Sequence, residues 1–445
     1  MTDTTTRESF GSRIGFVIAA AGSAVGLGNL WKFPYLAGMN GGAAFLFIYI
    51  VIILCIGVTA MMCEVVVGRM GGLNAADSFE KLGGKRWKPV GWSGIACAFI
   101  ILSYYAVIGG WIIRYMIHSF TGLIELAAQG KSAEVFSVFV SNSGEVVFYQ
   151  ALFMVITAAL VLLGVKNGIE KSCKIMMPML FIAMLVLIVR AVTLPGAMKG
   201  IEFYLYPDFS KVTAQTVLAA LGQGFFSLSL GAGAILIYGS YLPKTANIIK
   251  SVRQICLIDT SVAFLAGLMV FPAVFAFNAP PEAGPGLTFI TLPGLFAQMP
   301  GGMIFSAIFF LLFFLAALTS SISLLEAPTG YLIDHGVKRT HATLIMALLI
   351  FLVGLPSAIS LAGGLKIGSR DFIDAAGYLT DSIMMPLASM LCCIFAGWSL
   401  KDEKLKAELT NNGTINFPTY GLWKIMMKVI APAAILCIFA TGLKW

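Results

Sequence analysis

Long apolar runs, separated by short polar and basic stretches, occupy most of the chain. A helix needs about 20 mostly apolar residues to cross a bilayer. Eleven runs reach that length: 14–36, 43–68, 89–124, 147–164, 172–192, 213–241, 254–278, 303–334, 341–362, 371–399 and 422–443. Several are long enough to require tilt or an extension beyond the bilayer. The pattern predicts an all-α polytopic membrane protein with eleven transmembrane helices in one domain, 1–445. The loop 279–302 has Pro and Gly at both ends and an apolar stretch between them, which predicts a short helix on the outer face, with a mobile lid as its functional version. The loop 401–421 is polar and charged and is expected to be solvated.

Composition agrees with the pattern. Of 445 residues, 59% are hydrophobic and 11% charged, with a mean hydropathy of +0.91. Soluble domains average about 25% charged residues. A soluble enzyme, a nucleic-acid binder and a disordered chain are all excluded on these figures. The net charge of +8 lies in loops rather than in one patch, so it reads as a topology signal. With the N-terminus inside, twenty of the 29 Lys and Arg residues fall on inner segments. That asymmetry predicts a cytoplasmic N-terminus and an outer C-terminus. The first ten residues are polar, and no cleavable signal is expected. Eight Cys and three His form no CxxC pair and no Cys/His cluster. Neither a metal centre, a disulfide framework nor an organic cofactor is indicated, and no nucleophile–base pair suggests an enzyme.

Two runs are interrupted by glycine. The first has Gly22, Gly26 and Gly28 around Ser23 and Asn29; the sixth has Gly222, Gly224, Gly231 and Gly233 around Ser227 and Ser229. They open two five-helix halves, residues 14–192 and 213–399, with an eleventh helix at 422–443. Broken segments at corresponding positions of two halves mark an inverted-repeat transporter. Unwound backbone at membrane depth is tolerated only where it is buried or lines a cavity. Its freed carbonyls suit a cation and its freed amides a carboxylate.

The sequence GSAVGLGNLWKFPY (22–35), with NGG at 40–42 and EVVVGRMGG at 64–72, resembles the neurotransmitter:sodium symporter family. The likeness continues through YY at 104–105, GW at 110–111, QGFFSLSLGAGA (223–234), FITLPGLF (289–296) and LTSSISLLEAP (318–328). Eleven helices is the usual count of bacterial members, which implies the inner membrane of a bacterium. The resemblance implies a sodium-coupled amino acid symporter with two sodium sites. One would use Gly22, Val25, Ala316, Thr319 and Ser320. The other would use Ala24, Asn29, Ser227 and Asp259 with the substrate carboxylate. Many members have Asn where Asp259 stands. A buried acid in a membrane helix is a functional candidate, and its fixed charge suggests independence from chloride and a means of carrying a proton on the return step. Some bacterial members instead carry a glutamate where Ala263 stands.

The same resemblance places an amino acid carboxylate against the amides of Leu27 and Gly28 and the hydroxyl of Tyr105. Its ammonium would meet carbonyls at Ala24, Phe226 and Ser229. The side-chain pocket would comprise Ile101, Phe226, Ala232, Ser321 and Leu324, none of them charged. Ala232 stands where some members have a bulky aromatic, which favours a large apolar or aromatic L-amino acid. Monoamine carriers have Asp where Gly26 stands, so an amine lacking a carboxylate is not expected.

Gates follow by the same route. Phe226 and Tyr105 would cover the substrate. Lys32 is the outer basic residue. Its usual acidic partner aligns with Gly377, and Asp374 is the nearest substitute. Arg7, Asp334 and Tyr241 resemble the inner gate, and Glu64 resembles an acid that braces the unwound part of helix six. The expected partners are thus amino acid, sodium ions and the lipid bilayer, with no nucleic acid. Rival expectations are a symporter of the same fold for another small solute, and a sensor that binds the amino acid without transporting it.

Overall fold

Glycine and small residues set where the apolar runs cease to be helix. The computed structural model describes residues 8–278 and 286–442. Among these, nine helices have the length and composition to cross a membrane: Ala43–Gly71, Lys85–His118, Ser143–Leu162, Val165–Val192, Ile248–Ala276, Gly302–Asp334, Arg339–Gly363, Phe372–Ser399 and Tyr420–Ala440. One further span is a pair, Arg13–Ala24 and Gly28–Met39, bent by 52° at its break. The run predicted over 213–241 is also two helices, Ala214–Ser227 and Ala234–Ser240. The backbone between them, 228–233, is irregular and wholly inside the protein, apart from partial exposure of Ser229.

Lys85–His118 and Gly302–Asp334 are the most enclosed of the long helices, and Arg339–Gly363 and Tyr420–Ala440 the least. The enclosed helices carry serines and threonines that hydrogen-bond between helices: Ser23 with Ser323 at 2.7 Å, Ser119 with Ser306 at 2.8 Å, and Thr157 with Ser321 at 2.9 Å. Inside a bilayer, where lipid is as apolar as leucine, close packing and such polar contacts hold helices together.

Two loops differ from expectation. The segment Leu287–Ala297 is helical, as its apolar stretch predicts, but it is packed inward rather than laid on the surface. Phe289 is 1% exposed, stacks on Phe136, and meets Trp31, Trp111 and Tyr115 edge-on. Residues 279–285 of that loop lie outside the described residues. The loop 401–421 is not simply solvated. It contains a helix, Asp402–Leu409, whose Leu405 and Leu409 are buried. Its Glu408 Oε1 pairs with the buried Arg69 Nε at 2.6 Å, and Arg69 also donates to the Ala246 carbonyl at 2.6 Å and to the Glu408 carbonyl. An arginine 2% exposed requires such partners, because an unpaired buried charge is prohibitively costly.

Candidate functional site

The first break begins where Val25 turns to extended backbone (φ −71°, ψ 100°) after the Arg13–Ala24 helix. Asn29 spans the gap. Its Oδ1 accepts from the Gly26 amide at 3.1 Å, and its Nδ2 donates to Ser227 Oγ at 2.9 Å and Asp259 Oδ1 at 2.8 Å. Ser227 Oγ lies 2.9 Å from both carboxylate oxygens of Asp259. The fold therefore brings Asn29, Ser227 and Asp259 together at no more than 1% exposure, with Ala24 on the adjoining cavity wall. Tyr49 completes this group, its hydroxyl 3.2 Å from Ser227 Oγ and 3.3 Å from Asp259 Oδ2. Sequence reasoning missed Tyr49, because a tyrosine inside FLFIYIVI carries no mark beyond a lone hydroxyl in an apolar run.

On the other side of the break, Thr319 Oγ1 lies 3.0 Å from the Ala316 carbonyl and 3.5 Å from that of Val25. Ser320 Oγ lies 3.4 Å from the Val25 carbonyl and 3.2 Å from that of Ser23. Gly22 faces Thr319 so closely that a Cβ on it would sit 3.3 Å from Thr319 Cβ. The Val25 and Ala316 carbonyls thus meet the Thr319 and Ser320 hydroxyls, with Gly22 packed against Thr319.

The second break is held open by its backbone. Ser229 has φ +53°, uncommon for a residue with a Cβ. Its Oγ donates to the Ser23 carbonyl at 3.0 Å, tying the second break to the first. Gly231 has φ +80°, and a Cβ there would lie 2.1 Å from the Met385 carbonyl, so only glycine fits. Its freed amide donates to Glu64 Oε1 at 2.7 Å.

A cavity lies between the two breaks. Ala24, Leu27, Gly28, Ile101, Tyr105, Phe226, Ser229, Ala232 and Leu324 all line it. Ser321 does not: its hydroxyl is turned to Thr157 and to the Leu318 carbonyl. Ser320, one residue earlier, lines the wall instead, with Met385 from the helix Met385–Ile394. A step of one residue on a helix rotates the side chain by about 100°, which is why the two serines face different neighbours. The Leu27 amide donates to Tyr105 Oη at 3.4 Å. Among the described residues, no charged side chain lines the cavity. Gln223, also unforeseen, donates to the Gly28 carbonyl at 2.9 Å.

Lys32 has a different partner from the one expected. Lys32 Nζ pairs with Asp381 Oδ2 at 2.9 Å and lies over the Phe226 ring, 4.0 Å from its centroid. Asp374 instead belongs to the start of its own helix, where its amide donates to Asp371 Oδ1 at 2.9 Å. Asp381 is one helical turn beyond Gly377, and Asp374 nearly one turn before it.

At the opposite end, Arg7 lies outside the described residues. Asp334 Oδ2 accepts from the Asn74 amide at 2.5 Å and from Asn74 Nδ2 at 3.0 Å. Tyr241 Oη donates to Glu326 Oε1 at 2.7 Å. Glu326, fully buried, is gripped at both oxygens by Arg339, at 2.8 and 2.9 Å, and Arg339 also reaches Glu8 at 2.7 Å. Glu326 stands inside the quoted motif LTSSISLLEAP, yet nothing in the sequence pairs it with Arg339.

Residues 7–133 and 130–444 match the sodium:neurotransmitter symporter family. The chain is 39% identical over 433 residues to a sodium-dependent transporter of Bacillus subtilis, YhdH, covering 96% of each chain. It is 29% identical to the sodium- and chloride-dependent taurine transporter of Bos taurus, over 74% of this chain and 61% of that one. The crystal structure of MhsT in complex with L-phenylalanine superposes with a TM-score of 0.90 at 40% identity, covering 98% of this chain and all of that one. The chain belongs to the sodium:neurotransmitter symporter family: it is a multi-pass, sodium-dependent secondary transporter and not an enzyme.

Proposed function

We propose that this family member imports an L-amino acid with a large apolar or aromatic side chain, driven by sodium and without need of chloride. The observation that carries this reading is the uncharged cavity at the meeting of two broken helices, with Ser227 on its wall and Asn29 and Asp259 bonded behind it. The Leu27 and Gly28 amides and the Tyr105 hydroxyl suit a carboxylate. Ile101, Phe226, Ala232 and Leu324 suit an apolar side chain. The similarity to MhsT, whose structure contains L-phenylalanine, supports the same substrate class.

Two sodium ions are assigned. One takes the neutral oxygens of Gly22, Val25, Ala316, Thr319 and Ser320. The other takes Ala24, Asn29, Ser227 and Asp259. A hard cation prefers oxygen ligands, and both donor sets fit that demand. The Asn29 NH2 now donates to Asp259, the role a cation would take over. Asp259 holds the hydroxyls of Tyr49 and Ser227 at its carboxylate, and as a fixed negative charge it supplies what a chloride ion would otherwise have to supply. That is the physical basis for chloride independence.

In the mechanism, the substrate carboxylate completes a sodium site, so ion and amino acid bind cooperatively. Occupancy draws Phe226 and Tyr105 over the cavity. Loss of sodium from its uncharged oxygen cage lets the inner end open. Arg7, Asp334 and Tyr241 form the inner gate in this scheme. The architecture assigned is eleven helices, with 14–192 and 213–399 as inverted repeats, 422–443 as the last helix, and the N-terminus cytoplasmic. The protein would sit in a bacterial inner membrane.

The test is uptake into proteoliposomes of labelled phenylalanine, tryptophan, leucine, methionine, taurine and creatine, under an inward sodium gradient against a potassium control. Sodium-dependent accumulation of the apolar amino acids supports the reading. Accumulation of taurine or creatine alone replaces the substrate class. Binding without accumulation makes the protein a sensor.

A further inference from the structure

A groove opens at the start of the helix Ile248–Ala276, away from both breaks. Lys250, Arg253, Gln254 and Leu257 fall on one face of that helix, at spacings of three, four and seven residues. Ile415, from the segment before the last span, forms the opposite wall. Lys250 and Arg253 are exposed, and among the described residues neither makes an ion pair or a side-chain hydrogen bond. Among the described residues, no Asp or Glu lines the groove. A third cation stands beside it: Arg13 Nη1 donates to Gln254 Oε1 at 2.5 Å.

One turn further along the same face the chemistry reverses. Leu257 is 68% exposed, and Phe264 and Leu268 continue the stripe as partly exposed apolar side chains. Cations at a helix end followed by an exposed apolar stripe match a phosphate headgroup with acyl chains running alongside. Snorkelling alone needs cations at the membrane boundary but no cleft with a second wall. A basic pocket between membrane segments is the form that binds anionic headgroups.

We infer that the groove between Lys250, Arg253 and Ile415 binds an anionic phospholipid, its phosphate on the two free cations and a chain along Leu257. The bound lipid bridges the Ile248–Ala276 helix, which carries Asp259, to the segment that leads into the last span. This site does not depend on which solute is carried.

The test uses the full chain in neutral detergent, with native mass spectrometry to count bound lipid and thermal unfolding to read stability. The probes are palmitoyl-oleoyl phosphatidylglycerol, the matching phosphatidylcholine, and inorganic phosphate. Expected is one tightly held phosphatidylglycerol and a rise of several degrees in unfolding midpoint, with neither given by phosphatidylcholine or phosphate. Lys250→Gln and Arg253→Gln should each weaken phosphatidylglycerol binding about fivefold, as one interfacial cation is worth. The paired K250R/R253K variant should bind as the parent does, and so should Lys404→Gln, a cation elsewhere on the same end. Equal stabilisation by phosphatidylcholine, reproduction of the shift by inorganic phosphate, or undiminished binding in the K250Q/R253Q variant would each overturn the assignment. Lys250 and Arg253 are exposed and unpaired, so their loss leaves the lipid-free midpoint in place. A lipid-free midpoint displaced by the double variant would make them structural and also overturn it.

Discussion

Lys32 ties an acid to the cavity wall: its ammonium is 2.9 Å from Asp381 and 4.0 Å from the centroid of the Phe226 ring. One cation therefore couples the helix that carries Asp381 to the aromatic side chain lining the cavity. The pair is partly exposed, 37% at Lys32 and 22% at Asp381. Such pairs contribute up to about 1 kcal/mol after screening.

Asp381→Asn should speed release of bound labelled phenylalanine to the outer side by about two- to fivefold, the range that an exposed pair allows. Asp374→Asn should leave release unchanged. Dissociation from purified protein, followed by scintillation proximity, makes the comparison. Equal rates in the two variants would remove Asp381 from the gate.

Asp259 should make uptake indifferent to replacement of chloride by gluconate in the parent protein. Asp259→Asn takes away the fixed charge while keeping a hydrogen-bonding side chain. The variant is expected to lose at least about tenfold in apparent sodium affinity, consistent with the loss of a buried charged ligand. Part of that loss should return when chloride is supplied. Chloride-stimulated uptake in the parent would contradict the reading.

The neighbouring serines provide a built-in control. Ser320→Ala removes a hydroxyl that faces the cavity and the Val25 carbonyl. It should weaken sodium-dependent phenylalanine binding by roughly tenfold, the value of a buried hydrogen-bonding group. Ser321→Ala, whose hydroxyl faces Thr157, should leave affinity within about twofold and lower the unfolding midpoint slightly. Binding isotherms for the two variants side by side decide this, and a larger effect from Ser321 would reverse the assignment.

Arg339 and Glu326 form a two-toothed pair, with Glu326 fully buried. Arg339→Met leaves an uncompensated buried carboxylate, which in such settings costs about 3–5 kcal/mol. Folded yield and unfolding midpoint should fall sharply. Adding Glu326→Gln should restore most of both, because the stranded charge is then gone. A double variant no better than the single one would show that the pair is not the unit of stability.

Particular residues show how much of this protein is written in its sequence. The bilayer admits only helices or closed barrels, so each apolar run could be read as a span from length alone. The breaks were legible for the same reason. Glycines and small polar residues in mid-span have few uses except close packing or unwound backbone, and Gly231 and Asn29 serve the second. The motifs pointed to most of the residues around the cavity, which come from the two broken segments and from the enclosed helices Lys85–His118 and Gly302–Asp334.

Tertiary structure alone decided the partners. Whether Ser320 or Ser321 faces the cavity depends on the rotation of one enclosed helix, and a periodicity argument leaves that free when the helix is apolar on all sides. Lys32 meets Asp381 and not Asp374, which sits in the first turn of the helix beginning at Phe372 with its amide on the Asp371 cap. Tyr49, Glu326 and Arg339 are separated in sequence from the groups they meet, and no local pattern records a meeting across the bundle. Hydrophobic length and backbone chemistry are local, so the chain declares its spans and its breaks. Hydrogen bonds and ion pairs between spans are set by how the helices pack and turn against one another, and that is fixed only when all of them are in place.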